Sequence, residues 1–194
     1  MIVRPELLTH PNIPKPLHGT NPRSILGKEW WDKTRKQVYA NNDYHCMACG
    51  IHKSQDKFHN WLEAHESYSI DYESGRVALN EIVALCHSCH NFIHSGRLQS
   101  MVASGETGEE KAMYILKRGF AILKANNLEP FWGTAYVFSE MTGRDDLIER
   151  VEALKKKQDV VIQQDWSKWH IEIDGVKHYG KYKSQIDWQI QYGR

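Results

Sequence analysis

Two Cys-x-x-Cys pairs, Cys46 with Cys49 and Cys86 with Cys89, stand well apart in the chain and account for all of its cysteines. Each such turn presents two thiolates at an angle that a tetrahedral Zn²⁺ accepts. Together they can close a four-sulfur structural site with no open position. This constrains the fold more than any other feature, because the two pairs must meet and the zinc then staples one element to another. Four buried or reactive thiols are the plainer alternative, but the paired spacing favours metal. With its cysteines committed to metal, the chain is expected in a reducing cytoplasm.

A zinc already held by four thiolates has no use for the histidines beside it. His90 and His94 follow the second pair and are four apart, so on a helix they share one face and can converge on a single ion. His65 would join them from another element. Trp61-Leu62-Glu63-Ala64-His65 alternates, reading as a short strand with Trp61, Glu63 and His65 on one face. Ile82-Val83-Ala84-Leu85 is a second short apolar run leading into Cys86. Between the runs, Asp71 to Arg76 has turn chemistry, with Gly75 able to take positive φ. The order is strand, loop, strand, cysteine pair, helix. A polar helix beside a zinc and an ordinary strand histidine are the alternatives.

Taken together, residues Tyr44 to Gly96, about a quarter of the chain, resemble the HNH nucleases, also called ββα-metal or His-Me finger nucleases, in their four-cysteine zinc form. The strongest part is Ile82-Val83-Ala84-Leu85-Cys86-His87-Ser88-Cys89-His90-Asn91-Phe92-Ile93-His94, which is similar to that family's closing strand, knuckle and helix. The weaker part is Leu62-Glu63-Ala64-His65-Glu66, where the family usually has a metal ligand followed by a general-base histidine. The resemblance implies a zinc-stapled ββα-metal core, and the patterns on either side extend the expected fold to α+β, with flanking helices and a C-terminal β-hairpin. It also implies metal-dependent hydrolysis of phosphodiester bonds. Its cofactors would be a structural Zn²⁺ and a second divalent ion (Mg²⁺, Mn²⁺, Ni²⁺ or Zn²⁺), and its substrate double-stranded DNA, in a protein of phage or mobile-element type.

Aligned without gaps, His65 falls on the family's metal-ligand position and Glu66 on its base position. Glutamate is a poorer base near neutrality unless burial or a like charge raises its pKa. The family's middle asparagine falls at Glu81, with Asn80 one residue off. Two assignments follow. In one, His65, His90 and His94 bind the ion and Glu66 or water handles the proton. In the other, His65 is the base and His94 holds the ion with His90 or Glu81. The competing reading, from another functional class, is a zinc-scaffolded module that lost its base and only binds nucleic acid or protein.

Outside that core the expectations are coarser. Residues 1–43 read as an extended arm and a helix packing on the core, 44–100 as the zinc-binding ββα domain, and 101–194 as a helical region with a C-terminal hairpin. Five of the six prolines precede Gly27 and argue against a regular helix there. A helix is expected from Lys28 to Asn41, with Trp31, Thr34 and Val38 on one face. Thr107-x-x-Glu110 reads as a capping box opening a helix with Ala112, Ile115, Leu116, Gly119 and Leu123 on one face, ended by Asn126-Asn127. Further helices are expected at 133–141 and from Asp145 to Lys157. Trp169, Ile171 and Ile173 alternate, Asp174-Gly175 is a hairpin turn, and Val176 to Tyr179 returns. Ser184 can cap a final short helix.

The net charge of +1 argues against nonspecific clinging to nucleic acid, although seven basic against four acidic residues precede Tyr44. A solvated helix face is the plainer account of that excess. No apolar run approaches the roughly 18 residues of a membrane span, and Met1 to Pro5 has no signal-peptide core. The expectation is therefore a protein of the cytoplasm, of a bacterial or phage-infected host cell, with no membrane partner.

Overall fold

The computed structural model describes residues 2–144, 151, 152, 154, 156, 162 and 165–192. The fold is a mixed α+β one. Among the described residues it has seven α-helices: α1 (Pro22–Leu26), α2 (Lys28–Asn41), α3 (His87–Ile93), α4 (Ser95–Ala103), α5 (Glu109–Ala125), α6 (Trp132–Thr142) and α7 (Gln185–Tyr192). Four strands, β1 (Glu63–Asp71), β2 (Arg76–Leu85), β3 (His170–Ile173) and β4 (Val176–Tyr179), form one sheet in the order β1-β2-β3-β4. The chain divides into two compact units, each built from separated stretches. One comprises Met1–Asn12, Lys36–His65 and Val83–Lys155, the other Ile13–Arg35, Glu66–Ile82 and Lys156–Arg194.

The first unit carries both cysteine pairs. Its core joins Leu7, Leu8, Leu62, Val83, Leu85, Phe92, Ile93, Leu98, Ile115 and Leu116. The expected α5 stripe of Ala112, Ile115, Leu116, Gly119 and Leu123 is the set this helix buries. Gly119 is there for space: a Cβ built on it would meet the Phe92 ring at 2.1 to 2.4 Å, so its absence lets α5 lie against α3. The capping box does not form. The helix starts at Glu109 behind a Gly108 N-cap with no side-chain bond, and Thr107 is buried with its N–H on the Met101 carbonyl.

The proline-rich arm is also less extended than expected. It contains two 3₁₀ turns, Pro5–Thr9 and Lys15–Leu17, and helix α1, which starts on Pro22. Proline is tolerated at the first helical position, where its missing N–H has no partner to lose. Asn21 and Ser24 close a reciprocal cap there. Helix α2 spans the expected residues but buries none fully, and its Lys28 and Arg35 both pair with Asp32 at 2.8 Å.

In the second unit, β3 and β4 form the expected hairpin, with Asp174 and Gly175 both at positive φ as a tight type I′ turn requires. Sequence pattern did not foretell that β3 also pairs in parallel with β2, Arg76 opposite His170 and Ala78 opposite Glu172. The bidentate Arg76–Glu172 ion pair, at 2.7 and 2.9 Å, fixes that register. The core here is Leu17, Tyr68, Val77, Trp169, Ile171 and Ile173. Ser184 Oγ accepts from the Asp187 N–H at the start of α7, as expected. Most of the helix expected from Asp145 to Lys157 lies outside the described residues.

Candidate metal centres

The first cysteine pair sits on a tight turn. Gly50 N–H donates to the Cys46 carbonyl and Cys46 N–H to the Ile51 carbonyl, both at 2.8 Å, with Gly50 at φ +77°. Met47 N–H donates to the Ala84 carbonyl, which fastens this turn to the end of β2 just before the second pair. Cys86 is the N-cap of α3 and accepts the His90 N–H through its carbonyl. The four sulfurs therefore converge, all within 4.8 Å of one another.

Zn–S bonds of about 2.3 Å at tetrahedral angles require sulfurs about 3.8 Å apart, and Cys49 Sγ lies 3.8 Å from Cys86 Sγ. The cluster can hold a structural zinc. Without one the thiols share protons: bonding with Cys46 holds Cys49 below the ordinary thiol range and pushes Cys86 above it. Arg118 donates to Cys49 Sγ at 3.4 Å, placing a guanidinium against what would be a net-negative tetrathiolate.

A second group converges beside it. His65 on β1, His90 on α3 and His94 at the end of α3 bring one ring nitrogen each within 4.8 Å of the others. His90 and His94 lie one helical turn apart, the His94 N–H on the His90 carbonyl at 3.1 Å, so their rings share a face. His65 Nδ1 lies 3.2 Å from His94 Nε2. Two nitrogens at about 2.0–2.1 Å from one tetrahedral ion would be about 3.3 Å apart. His65 Nε2 is buried with no hydrogen-bond partner. An orphaned nitrogen of this kind costs free energy unless water or an ion satisfies the ring. Burial, then the neighbouring imidazoles, holds His65 well below its ordinary pKa and brings His94 down to about 3. Both are therefore neutral, the form that offers a lone pair to a metal.

The sequence reading missed what holds this group in place. Glu63 lies two residues before His65 on β1, hence on the same strand face. Its Oε1 is 2.6 Å from His87 Nδ1 and its Oε2 is 2.6 Å from His90 Nδ1. The His87 contact is an aligned hydrogen bond, whereas the His90 contact is close but lies off the N–H direction. Burial alone would raise the Glu63 pKa, but the two imidazoles outweigh it and hold the carboxyl well below its usual range. With Nδ1 turned to the carboxylate, His90 has its Nε2 left for an ion. The signal was present as Glu63-x-His65 facing His87-x-x-His90, but a carboxylate two residues from a histidine is ordinary on a wet strand. His10, from the arm, sets its ring edge-on to His65 with centroids 5.2 Å apart. The Arg97 charge reaches His94.

The remaining predicted site residues sit elsewhere. Glu66 follows His65 on β1 and so points to the opposite strand face. Among the described residues, neither Glu66 nor Glu81 belongs to the group of converging ligand atoms. Asn80 pairs with Ser69, its Nδ2 donating to Ser69 Oγ at 3.0 Å. No helix is long and apolar enough to cross a membrane among the described residues. Comparison with protein-family models, with curated proteins and with solved structures finds no match to this chain.

Proposed function

We propose that the protein is a metal-dependent endonuclease of HNH type that hydrolyses phosphodiester bonds in DNA. One observation carries this reading: three imidazoles, His65, His90 and His94, converge beside a four-sulfur cluster on a strand–strand–helix segment. The first of the two ligand assignments is favoured, because the 3.2 Å contact between His65 and His94 suits two ligands of one ion. A divalent ion held there supplies positive charge to phosphate oxygens and to the departing 3′ oxygen.

The chain's own groups do the rest. Glu63 stands 2.6 Å from His90 Nδ1, on the side of that ring away from the Nε2 left for an ion. Exposed Arg97, beside His94, offers a guanidinium to a phosphate. Glu66 lies on the opposite face of β1, so the proton of the attacking water is left to water at the site rather than to Glu66. Its absence from the ligand group favours a second reading, in which the site binds nucleic acid without cutting it.

The test is plasmid nicking across a series of added divalent ions. The wild type is expected to nick, and His65→Ala and His94→Ala each to abolish nicking while the fold and one bound zinc persist. A wild type that binds DNA yet cuts neither DNA nor RNA with any ion would refute the nuclease reading in favour of the binding module.

A further inference from the structure

Next to Glu63 and His87 the first unit carries a row of aromatic rings, half-buried apart from the exposed Trp61, that the metal-centre chemistry does not use. Trp61 is 51% exposed, whereas Trp166 and Trp169 are at most 5% exposed in their core. The His59 ring stacks on one face of Trp61, centroids 4.1 Å apart and 25° from parallel, and meets His87 edge-on at 4.1 Å. Phe58 touches both His87 and Tyr114. Two ammonium groups flank these rings: Lys57 Nζ stands 4.1 Å from the Tyr114 centroid and Lys111 Nζ 4.9 Å from that of Phe58. The loop is braced in this form, since Asp56 Oδ1 accepts the N–H groups of both Phe58 and His59. From Trp61, an unbroken series of contacts runs through His59, His87 and Glu63 to His90.

We infer that Trp61 and His59 form a stacking ledge for an unpaired base of the substrate strand, with Lys57 and Lys111 meeting its phosphates. This rests on the nucleic-acid part of the reading above and specifies the substrate: a strand with a splayed or single-stranded nucleotide beside the cut. An exposed ring with neighbouring cations is what single-strand binding uses, base faces on the aromatic and backbone on the lysines. A base inside an intact duplex already has both faces covered and cannot use the ledge.

The experiment is fluorescence anisotropy of the full, zinc-loaded chain with a labelled oligothymidylate, the matching oligouridylate and a blunt duplex, with no other divalent ion added. Trp61→Ala is expected to weaken single-strand binding about 5- to 100-fold, the range for one stacked base. Trp61→Phe should recover most of that, and blunt-duplex binding should stay within about twofold. Because Trp61 is half in water, circular dichroism of Trp61→Ala should match the wild type. A Trp61 dependence on either strand supports the ledge, and a difference between the two strands names the preferred sugar. Unchanged single-strand binding by Trp61→Ala, or an equal loss on blunt duplex, overturns it. Absent cleavage with this dependence intact sinks the nuclease reading alone, and normal cleavage without it sinks the ledge alone.

Discussion

Glu63→Gln is the sharpest perturbation of the proposed histidine-bound ion. The carboxylate meets two imidazole nitrogens at 2.6 Å, one with each oxygen. Glutamine is nearly the same size but has one acceptor oxygen, and its NH₂ can only donate. It can keep His87 or His90 in place, but the other ring then faces a donor with its own N–H and must turn or change tautomer. Losing the outer partner of a metal-binding histidine, here the carboxylate 2.6 Å from His90 Nδ1, typically costs about 10- to 100-fold in metal affinity, or about 1.4–2.7 kcal/mol.

Calorimetric titration of Mn²⁺ or Ni²⁺ into protein already carrying one zinc should show that loss at the second site. Zinc content and circular dichroism should stay unchanged, because none of the four sulfurs touches Glu63. Glu63→Asp, which keeps the charge on a shorter arm, should lose less. An affinity within about twofold of the wild type would refute the orienting role. Loss of zinc by Glu63→Gln would instead make Glu63 a residue of the scaffold.

With zinc on the cluster, Cys86→Ser should lose the ion and unfold α3, because Cys86 would be a sulfur ligand and is that helix's N-cap; zinc stoichiometry and circular dichroism check it. Gly119→Ala drives a methyl to within 2.1 to 2.4 Å of Phe92 ring atoms, so urea unfolding should show about 1–3 kcal/mol less stability. Protein with no ion on the histidines should lose stability as pH falls from 6.5 towards about 3. There the unfolded chain binds a proton at residue 94 that the folded chain refuses, so stability rises with pH through the window. The low pKa of Glu63 adds a loss of the same sign below its ordinary 4.5. His94→Asn should flatten the slope in pH-dependent denaturation, and a slope of the opposite sign would contradict the burial argument.

Where an element answers to local rules, its residues announce it. The α5 stripe from Ala112 to Leu123 repeats at helical spacing, and Asp174-Gly175 supplies the two positive φ values its turn needs. The Cys-x-x-Cys spacing foretold the convergence of four sulfurs for the same reason: each half is local, and only the meeting is long-range. Pairing of β2 with β3 had no such signature, because Arg76 and Glu172 become partners only when segments 96 residues apart in sequence come together. Leu7 and Leu8 sit in a proline-rich arm whose composition says nothing of burial, yet both are core. Thr107-x-x-Glu110 matched a cap pattern that lost to packing, since burying Thr107 moved the helix start by a residue.

Helix α3 spans only seven residues, far fewer than the 12 to 15 or so at which an isolated helix becomes even marginally stable. Something outside it must therefore set the directions of His90 and His94. Cys86 and Cys89 hold its first turn in the sulfur cluster, Phe92 seats against the bare backbone of Gly119, and the Asn91 amide ties back to the His87 carbonyl at 2.9 Å. At His94 the backbone leaves helical geometry, with ψ at 41°, and turns into α4. A metal site tolerates errors of only a few tenths of an ångström in its ligands. In the proposed site the histidines would inherit that accuracy from the sulfur cluster one turn earlier, a physical reason for the two groups to share a helix instead of standing on separate elements.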